Sequence, residues 1–297
     1  MMRRRCLIGL FVAALAAMAT LVARPACAAG TKHCLWRVSN GKNHAYLQGS
    51  IHLLKKSHYP LPQAIENAYT GSAVLVLEAD LSAAQDPAQQ MALLKQGMLE
   101  DKATLQGALS EETWAMAEKQ MKKMGLSMAL FNGFKPWYFA TSITALRLQG
   151  LGFSPYDGVD WHYFNRATTD GKPVVGLETL DYQMGLFDAI SADDQDALVR
   201  QTFEDLANIE QEMDAILAAW STGDLEAMDK TLLKSFKEYP AVYKSLLTDR
   251  NQNWVPKIME YLNSGKVHMI VVGAGHFSGQ DGLLRLLKKQ GVKVEQL

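Results

Sequence analysis

Cysteine is nearly missing: Cys6, Cys27 and Cys34 are the three in 297 residues. That excludes a disulfide-built scaffold and leaves stability to an apolar core. Neither sign of charge dominates, with 30 basic against 31 acidic residues, and no basic cluster of the kind that tracks nucleic acid is present. No tandem repeat or low-complexity tract interrupts the chain. Long apolar runs are also lacking after the first, from Cys6 to Val22. The sequence has no H-E-x-x-H, no G-x-S-x-G, no Walker loop and no paired C-x-x-C.

What is there begins with that first run. Arg3, Arg4 and Arg5 precede it, and Ala26-Cys27-Ala28 follows as a small-x-small site. This is the pattern of a secretory signal peptide over residues 1–28. Arg24-Pro25-Ala26 ahead of Cys27 is a poor lipobox. Cleavage would leave a domain over 29–297, exported to the periplasm or secreted, with no membrane span. About 270 residues suffice for one domain with a substantial core. Loss of four arginines, Arg3, Arg4, Arg5 and Arg24, makes that domain mildly acidic.

The element pattern is mixed. Leu35 to Ser39 and Ala45 to Gly49 read as a hairpin around Asn40-Gly41. "SAVLVLEAD", "KPVVGLET" and "KVHMIVVGAG" are apolar runs of strand length, the sign of strands buried on both faces. Helical spacing fills Asp86 to Arg147, with Pro136 opening a new helix, and Gly158 to Thr168. Ser191 to Ser264 reads as several helices broken at Gly223-Asp224 and Tyr239-Pro240. A helix closed by Gly291 and a final strand "VKVEQ" complete the chain. The expectation is an α/β (mixed α+β) fold, with a central sheet from the N- and C-terminal segments. Helices would fill the middle, at about 86–170 and 180–264.

Two of these strands run into the same device. Gly49 to His52 and Gly273 to His276 are both G-x-x-H steps at strand ends, while Glu78 and Glu178 each close an apolar strand. In open α/β sheets ligands bind outside the carboxyl ends of the strands. If these strands are parallel neighbours, two imidazoles and two carboxylates meet in one crevice. Glycine would let the chain bend sharply after each strand. Two chemistries fit: a divalent metal site with a position left for water, or a metal-free histidine base oriented by a carboxylate. Taken singly, each residue has a structural reading as a cap, an ion-pair partner or a solvated side chain. The coincidence of four carries the argument. Gly273, Gly275 and Gly279 also imitate a dinucleotide loop, but His276 fills the place where a pyrophosphate would need close backbone approach.

With those residues in hand, the chain resembles the GumN branch of the TraB/GumN family. That family looks related to Tiki-type metalloproteases and, distantly, to erythromycin esterase-like proteins. The matching stretches are "LWRVSNGKNHAYLQGSIHLLKKSHYPLP", "VLVLEAD", "FKPWYFA", "GVDWHYFNRA", "KPVVGLET", "LLTDRNQNWVPKI" and "VVGAGHFSGQDGLLRLLKKQGVKVEQL". The resemblance implies a divalent metal ion on His52, His276 and Glu78, and a hydrolase, foremost a peptidase, acting on a peptide or small-molecule substrate. It places Glu178 next among site residues. Arg250 and Asn251 of "DRNQNW" would line the same cleft, and Asp160 of "GVDWH" is a further candidate. Two alternatives stay open: a metal-free esterase with His52 as base and Glu78 as its orienter, or a non-catalytic envelope protein tied to polysaccharide production.

Overall fold

Four strands run parallel, and the three inner ones have side chains that leave them almost no wet face. The computed structural model describes residues 31–231, 233 and 239–297. Residues 32–297 form one compact unit, and the expected signal segment at 1–28 lies outside the described residues. In chain order the strands are β1 (Leu35–Ser39), β2 (His44–Ser50), β3 (Val74–Ala79), β4 (Val174–Glu178), β5 (His268–Gly273) and β6 (Lys293–Gln296). They form one sheet in the order β4-β3-β5-β2-β1-β6. β4, β3, β5 and β2 are mutually parallel, while β1 pairs antiparallel with both β2 and β6.

The apolar runs explain this order. Every residue of β5 is buried and all but Glu78 of β3 are, as expected of interior parallel strands. β6 alternates exposed and half-buried residues and takes an edge. β4 corrects the sequence reading: "KPVVGLET" is not covered on both faces but lies at the other edge, half-buried, with β3 as its neighbour. The sheet therefore includes one strand from the middle of the chain.

The helices are α1 (Gln63–Thr70), α2 (Pro87–Gln96), α3 (Leu105–Ala108), α4 (Glu111–Lys123), α5 (Pro136–Gly150), α6 (Val159–Asp170) and α7 (Leu180–Asp188). They continue with α8 (Ala192–Thr222), α9 (Leu225–Thr231), α10 (Pro240–Tyr243), α11 (Asp249–Asn263) and α12 (Leu283–Lys289). Local chemistry sets their ends. Ser110, Thr179 and Ser191 accept backbone N–H bonds as N-caps, each worth about 1 kcal/mol. Pro136 opens α5 as expected, Gly223 at φ 62° closes α8, and Pro240 opens α10, so both breaks read from the sequence are present.

Three apolar clusters result among the described residues, the smallest around Leu148, Phe153, Ile209 and Met213. One surrounds the sheet and includes Trp220, Trp254, Tyr163 and Leu262. Another joins α4, α5 and α8 through Phe131, Phe139, Ile143 and Phe203. Trp137 and Phe139 of "FKPWYFA" are buried packing residues. At the C-terminal end of α8, Trp220 Nε1 donates to the Gly49 carbonyl at 2.8 Å, which fastens this long helix to β2 beside the first G-x-x-H step. The carboxyl ends of the four parallel strands all open on one side of the sheet, where β2, β3, β4 and β5 release His52, Glu78, Glu178 and His276.

Candidate functional site

Glu78 is the centre of the cluster. It is the fifth residue of β3, flanked by β5 on one side and β4 on the other. Its Oε1 accepts the Gly273 N–H at 2.7 Å. The same oxygen is faced by His276 Nε2 at 3.7 Å and His52 Nε2 at 3.9 Å. Its Oε2 pairs with Arg250 at 2.6 Å and accepts Gln183 at 3.1 Å. Burial alone would push the carboxyl up. His276 when protonated, the Arg250 guanidinium, His52 and the Gly273 N–H outweigh it and hold the group ionised, far below the usual carboxylate range.

Each imidazole is anchored at Nδ1, by different means. His276 is buried, and its Nδ1 lies 2.7 Å from Asn251 Oδ1. Asn251 Nδ2 donates to the carbonyls of His276 and Asp281 at 3.3 and 2.8 Å, which fixes the amide oxygen toward the ring. Nδ1 of His276 therefore carries the proton, and Nε2 presents a lone pair toward which Arg250 Nη1 points at 3.2 Å. Burial, with Arg250 and His52 nearby, lowers its pKa to about 3 against the pull of Glu78. His276 is the neutral imidazole.

His52 differs, with a half-exposed side chain. Its Nδ1 is 3.3 Å from Asp160 Oδ1, which also accepts Ser50 Oγ at 2.7 Å. Partial desolvation by the surrounding protein would lower its pKa, yet Asp160 and Glu78 raise it to about 9. Asp160 reaches this spot because Gly158, the residue before α6, lets the helix start touch the chain at His52: a Cβ there would overlap the His52 carbonyl oxygen. The Val159 N–H donates to the Ile51 carbonyl at 3.2 Å across the same contact.

Arg250 and Glu178 complete the cluster. A π-helical turn at Lys244–Thr248 leads into α11, and the Leu246 carbonyl accepts Arg250 Nη1 at 3.0 Å. The guanidinium lies against Trp254, one helical turn on, with 4.7 Å from its carbon to the ring centroid. Its Nε and Nη2 reach Glu178 Oε1 at 2.8 and 2.7 Å. Gln183 also donates to Glu178 Oε1, at 2.9 Å, and Trp254 Nε1 to Oε2, also at 2.9 Å. Both oxygens of Glu178 are thus engaged. Its role in this arrangement is to hold Arg250 in place.

The G-x-x-H glycines serve a purpose other than bending. Gly273 has φ −49°, open to any residue, and Gly49 is not among the positive-φ glycines. What both need is room. A Cβ on Gly273 would stand 3.1 Å from His52 Nε2 and 3.2 Å from Glu78 Oε1, and one on Gly49 would overlap Cys34 Sγ. The first glycine packs the sheet. The second keeps open the space that both imidazoles and Glu78 border.

All six residues expected from the sequence meet here: His52, Glu78, Glu178, Arg250, Asn251 and His276. Sequence reasoning named Asp160 without a partner and missed Ser50, Gln183 and Trp254. Trp254 had a signal, since it stands four residues after Arg250 on one face of α11. Gln183 had none.

The donor types suit a divalent ion: two imidazole Nε2 atoms and a carboxylate oxygen turned to the space that Gly273 leaves open, each ring held from behind at Nδ1. The present spacing is wider than a closed coordination set. Among the described residues no group of three or more His, Cys, Asp or Glu side chains is close enough to hold an ion as it stands. A hollow of about 350 Å³ reaches the cluster, with His52, Glu78, Asp160 and Arg250 at its polar end and Leu81, Trp161 and Phe187 among its apolar walls.

Two strand-end glycine–histidine steps converging on one carboxylate form the architecture, and comparison with known sequences decides its lineage. The family model described as TraB/PrgY/gumN family matches residues 34–296. The chain belongs to the TraB/PrgY/gumN family. Among curated proteins it is similar to the uncharacterized protein YbaP of Shigella flexneri and of Escherichia coli (strain K12). Each is 25% identical over 248 residues, covering 84% of this chain and 89% of the relative. No solved structure matches the chain. Every residue of the cluster lies within the span matched by the TraB/PrgY/gumN model. No helix among the described residues is long and apolar enough to cross a membrane.

Proposed function

We propose that this TraB/PrgY/gumN protein is a divalent-metal-dependent hydrolase, foremost a peptidase. The observation that carries the reading is that two imidazoles, each tied at Nδ1 to an oxygen, turn Nε2 toward the same oxygen of Glu78. His52 and His276 would hold the ion, with Glu78 Oε1 beside it. A bound ion supplies Lewis-acid polarisation and a water that ionises near neutral pH. Glu78, held ionised, accepts the proton of the attacking water. Arg250 is placed to balance the charge that grows on the carbonyl oxygen. In the balanced step, the water oxygen bonds to the amide carbon, the C–N bond breaks, and the water proton passes through Glu78 to the leaving nitrogen.

The test is hydrolysis of a mixed, internally quenched peptide library by the purified chain, with zinc, manganese or cobalt ions and with chelator. Expected are turnover with one of the ions, loss on chelation and recovery on adding the ion back. Turnover that ignores chelator would overturn the metal requirement.

One observation favours a second reading. His52 faces the hollow and is backed by Asp160, so once deprotonated, toward its raised pKa of about 9, it would serve as an oriented base that needs no metal. Asp160, rather than Glu78, would be the orienting carboxylate. Chelator-resistant ester or amide hydrolysis, lost in both His52→Ala and Asp160→Asn, distinguishes this reading from the first.

Export belongs to the same proposal. Residues 1–28 carry the basic, apolar and small-residue pattern of a cleaved leader. N-terminal sequencing of the protein from its native host should begin near Ala29, and a start at Met1 would count against export.

A further inference from the structure

A second hollow, of about 380 Å³, lies beside the first. The two share His52, Leu53, Phe187, Leu246 and Arg250 as a common wall. Beyond that wall they separate. The first is built by Leu81, Trp161, Met184 and Leu186, the second by Leu148, Met213, Ile216 and Leu247. The ionisable groups in both described linings are those of the cluster itself: Glu78, Asp160, His52 and Arg250 in the first, His52, Arg250 and the neutral His276 in the second. The reacting groups thus sit on a ridge between two apolar depressions, one walled by α7 and the start of α6, the other by α8 and the end of α5.

We infer that the substrate carries a bulky apolar side chain on each side of the bond that is broken, one for each hollow. This deepens the hydrolase reading and rests on it for the identity of the bond. Ligand sites of this kind are mostly apolar with a few convergent polar groups. A chain lying across the ridge brings its scissile amide to His52 and Arg250 while both neighbours leave water. A charged side chain pressed against the apolar walls, away from the cluster's own charged groups, would be desolvated there at a cost that selects against it. Phe187 and Leu246, which face both hollows, set the spacing between the two side chains.

The test uses quenched peptides that vary the residues on either side of the cleaved bond. Leu, Met or Phe at both positions should exceed Asp or Lys at either by about tenfold or more in kcat/KM, the scale on which apolar pockets discriminate. Met184→Glu and Ile216→Glu each put a carboxylate into one hollow, at half-buried positions that tolerate it. Each should relax the preference toward Lys on one side alone, and on opposite sides of the bond. A wild-type preference for charge, or both variants altering the same side, would overturn the inference. Should no peptide be cleaved, the hydrolase reading fails by itself. Calorimetry with a capped Leu–Leu peptide bearing a hydroxyethylene link in place of the amide then decides. Binding that either variant weakens about tenfold upholds the two hollows, and no binding to wild type overturns them.

Discussion

Arg250 bridges the two strand-end glutamates, with Nη2 2.6 Å from Glu78 and 2.7 Å from Glu178. The guanidinium is buried and both carboxylates are at least half-buried beside it, so the three groups stand or fall together. Arg250→Met leaves two carboxylates facing each other without a counter-charge. Removing one partner of a buried pair costs about 3–5 kcal/mol, readable as a lower midpoint in urea unfolding. Arg250→Lys should recover less than half, because a point charge cannot span both carboxylates as a planar fork does. Equal stability of Arg250→Met and wild type would contradict the bridge.

Asn251→Leu removes the acceptor for His276 Nδ1 and the donor to two carbonyls. A buried ring left with an unmet donor costs about 1–3 kcal/mol. The proton is then free to move to Nε2, the atom that faces Glu78. Nitrogen-resolved NMR should report Nδ1-H in wild type and a mixed tautomer in the variant. An unchanged tautomer would show that Asn251 does not set it.

His276 gives stability a pH signature. Its folded pKa lies near 3, against an ordinary value of 6.5. Below pH 6.5 the unfolded chain takes up a proton that the folded chain refuses, so stability falls as pH drops from about 6.5 toward about 3. His52 has the opposite sign. With a folded value near 9, its contribution is full below 6.5 and is lost as pH rises through 9. His276→Asn should flatten the acid limb of the stability curve and leave the alkaline limb. An acid limb unchanged by the variant would mean that His276 is not the group refusing the proton.

Gly273→Ala separates the site from the fold. The backbone there suits alanine, and the added methyl points at His52 Nε2 and Glu78 Oε1. Unfolding stability should change by about 1 kcal/mol or less, as for a small shift of neighbours, while any ion affinity is lost. Gly158→Ala is the contrast: its methyl meets the His52 backbone and should destabilise the fold itself.

Much of this was legible because parallel strands announce themselves. "VLVLEA" and "HMIVVG" are apolar throughout, and their carboxyl ends had to open on one edge if they were neighbours. Glu78 and His276 follow from that alone. Arg250 and Asn251 sit on a helix whose docking depends on the whole chain, and only family resemblance pointed to them. Gln183 was invisible, since a glutamine near a helix start looks the same whether or not two glutamates wait nearby. The reason given for the glycines was wrong in kind. Conformational freedom is a property of the residue, whereas the room actually required belongs to Cys34, His52 and Glu78, which lie far away in sequence.

The most direct test of a shared imidazole–carboxylate centre is calorimetric titration of the purified chain with zinc or manganese ions, repeated on His52→Ala, His276→Ala and Glu78→Gln. One ion per chain should bind the wild type, with affinity lowered by about 10-fold or more in every variant, comparable to or beyond the loss from disturbing supporting contacts. No binding to wild type, or binding that all three variants retain, would contradict it.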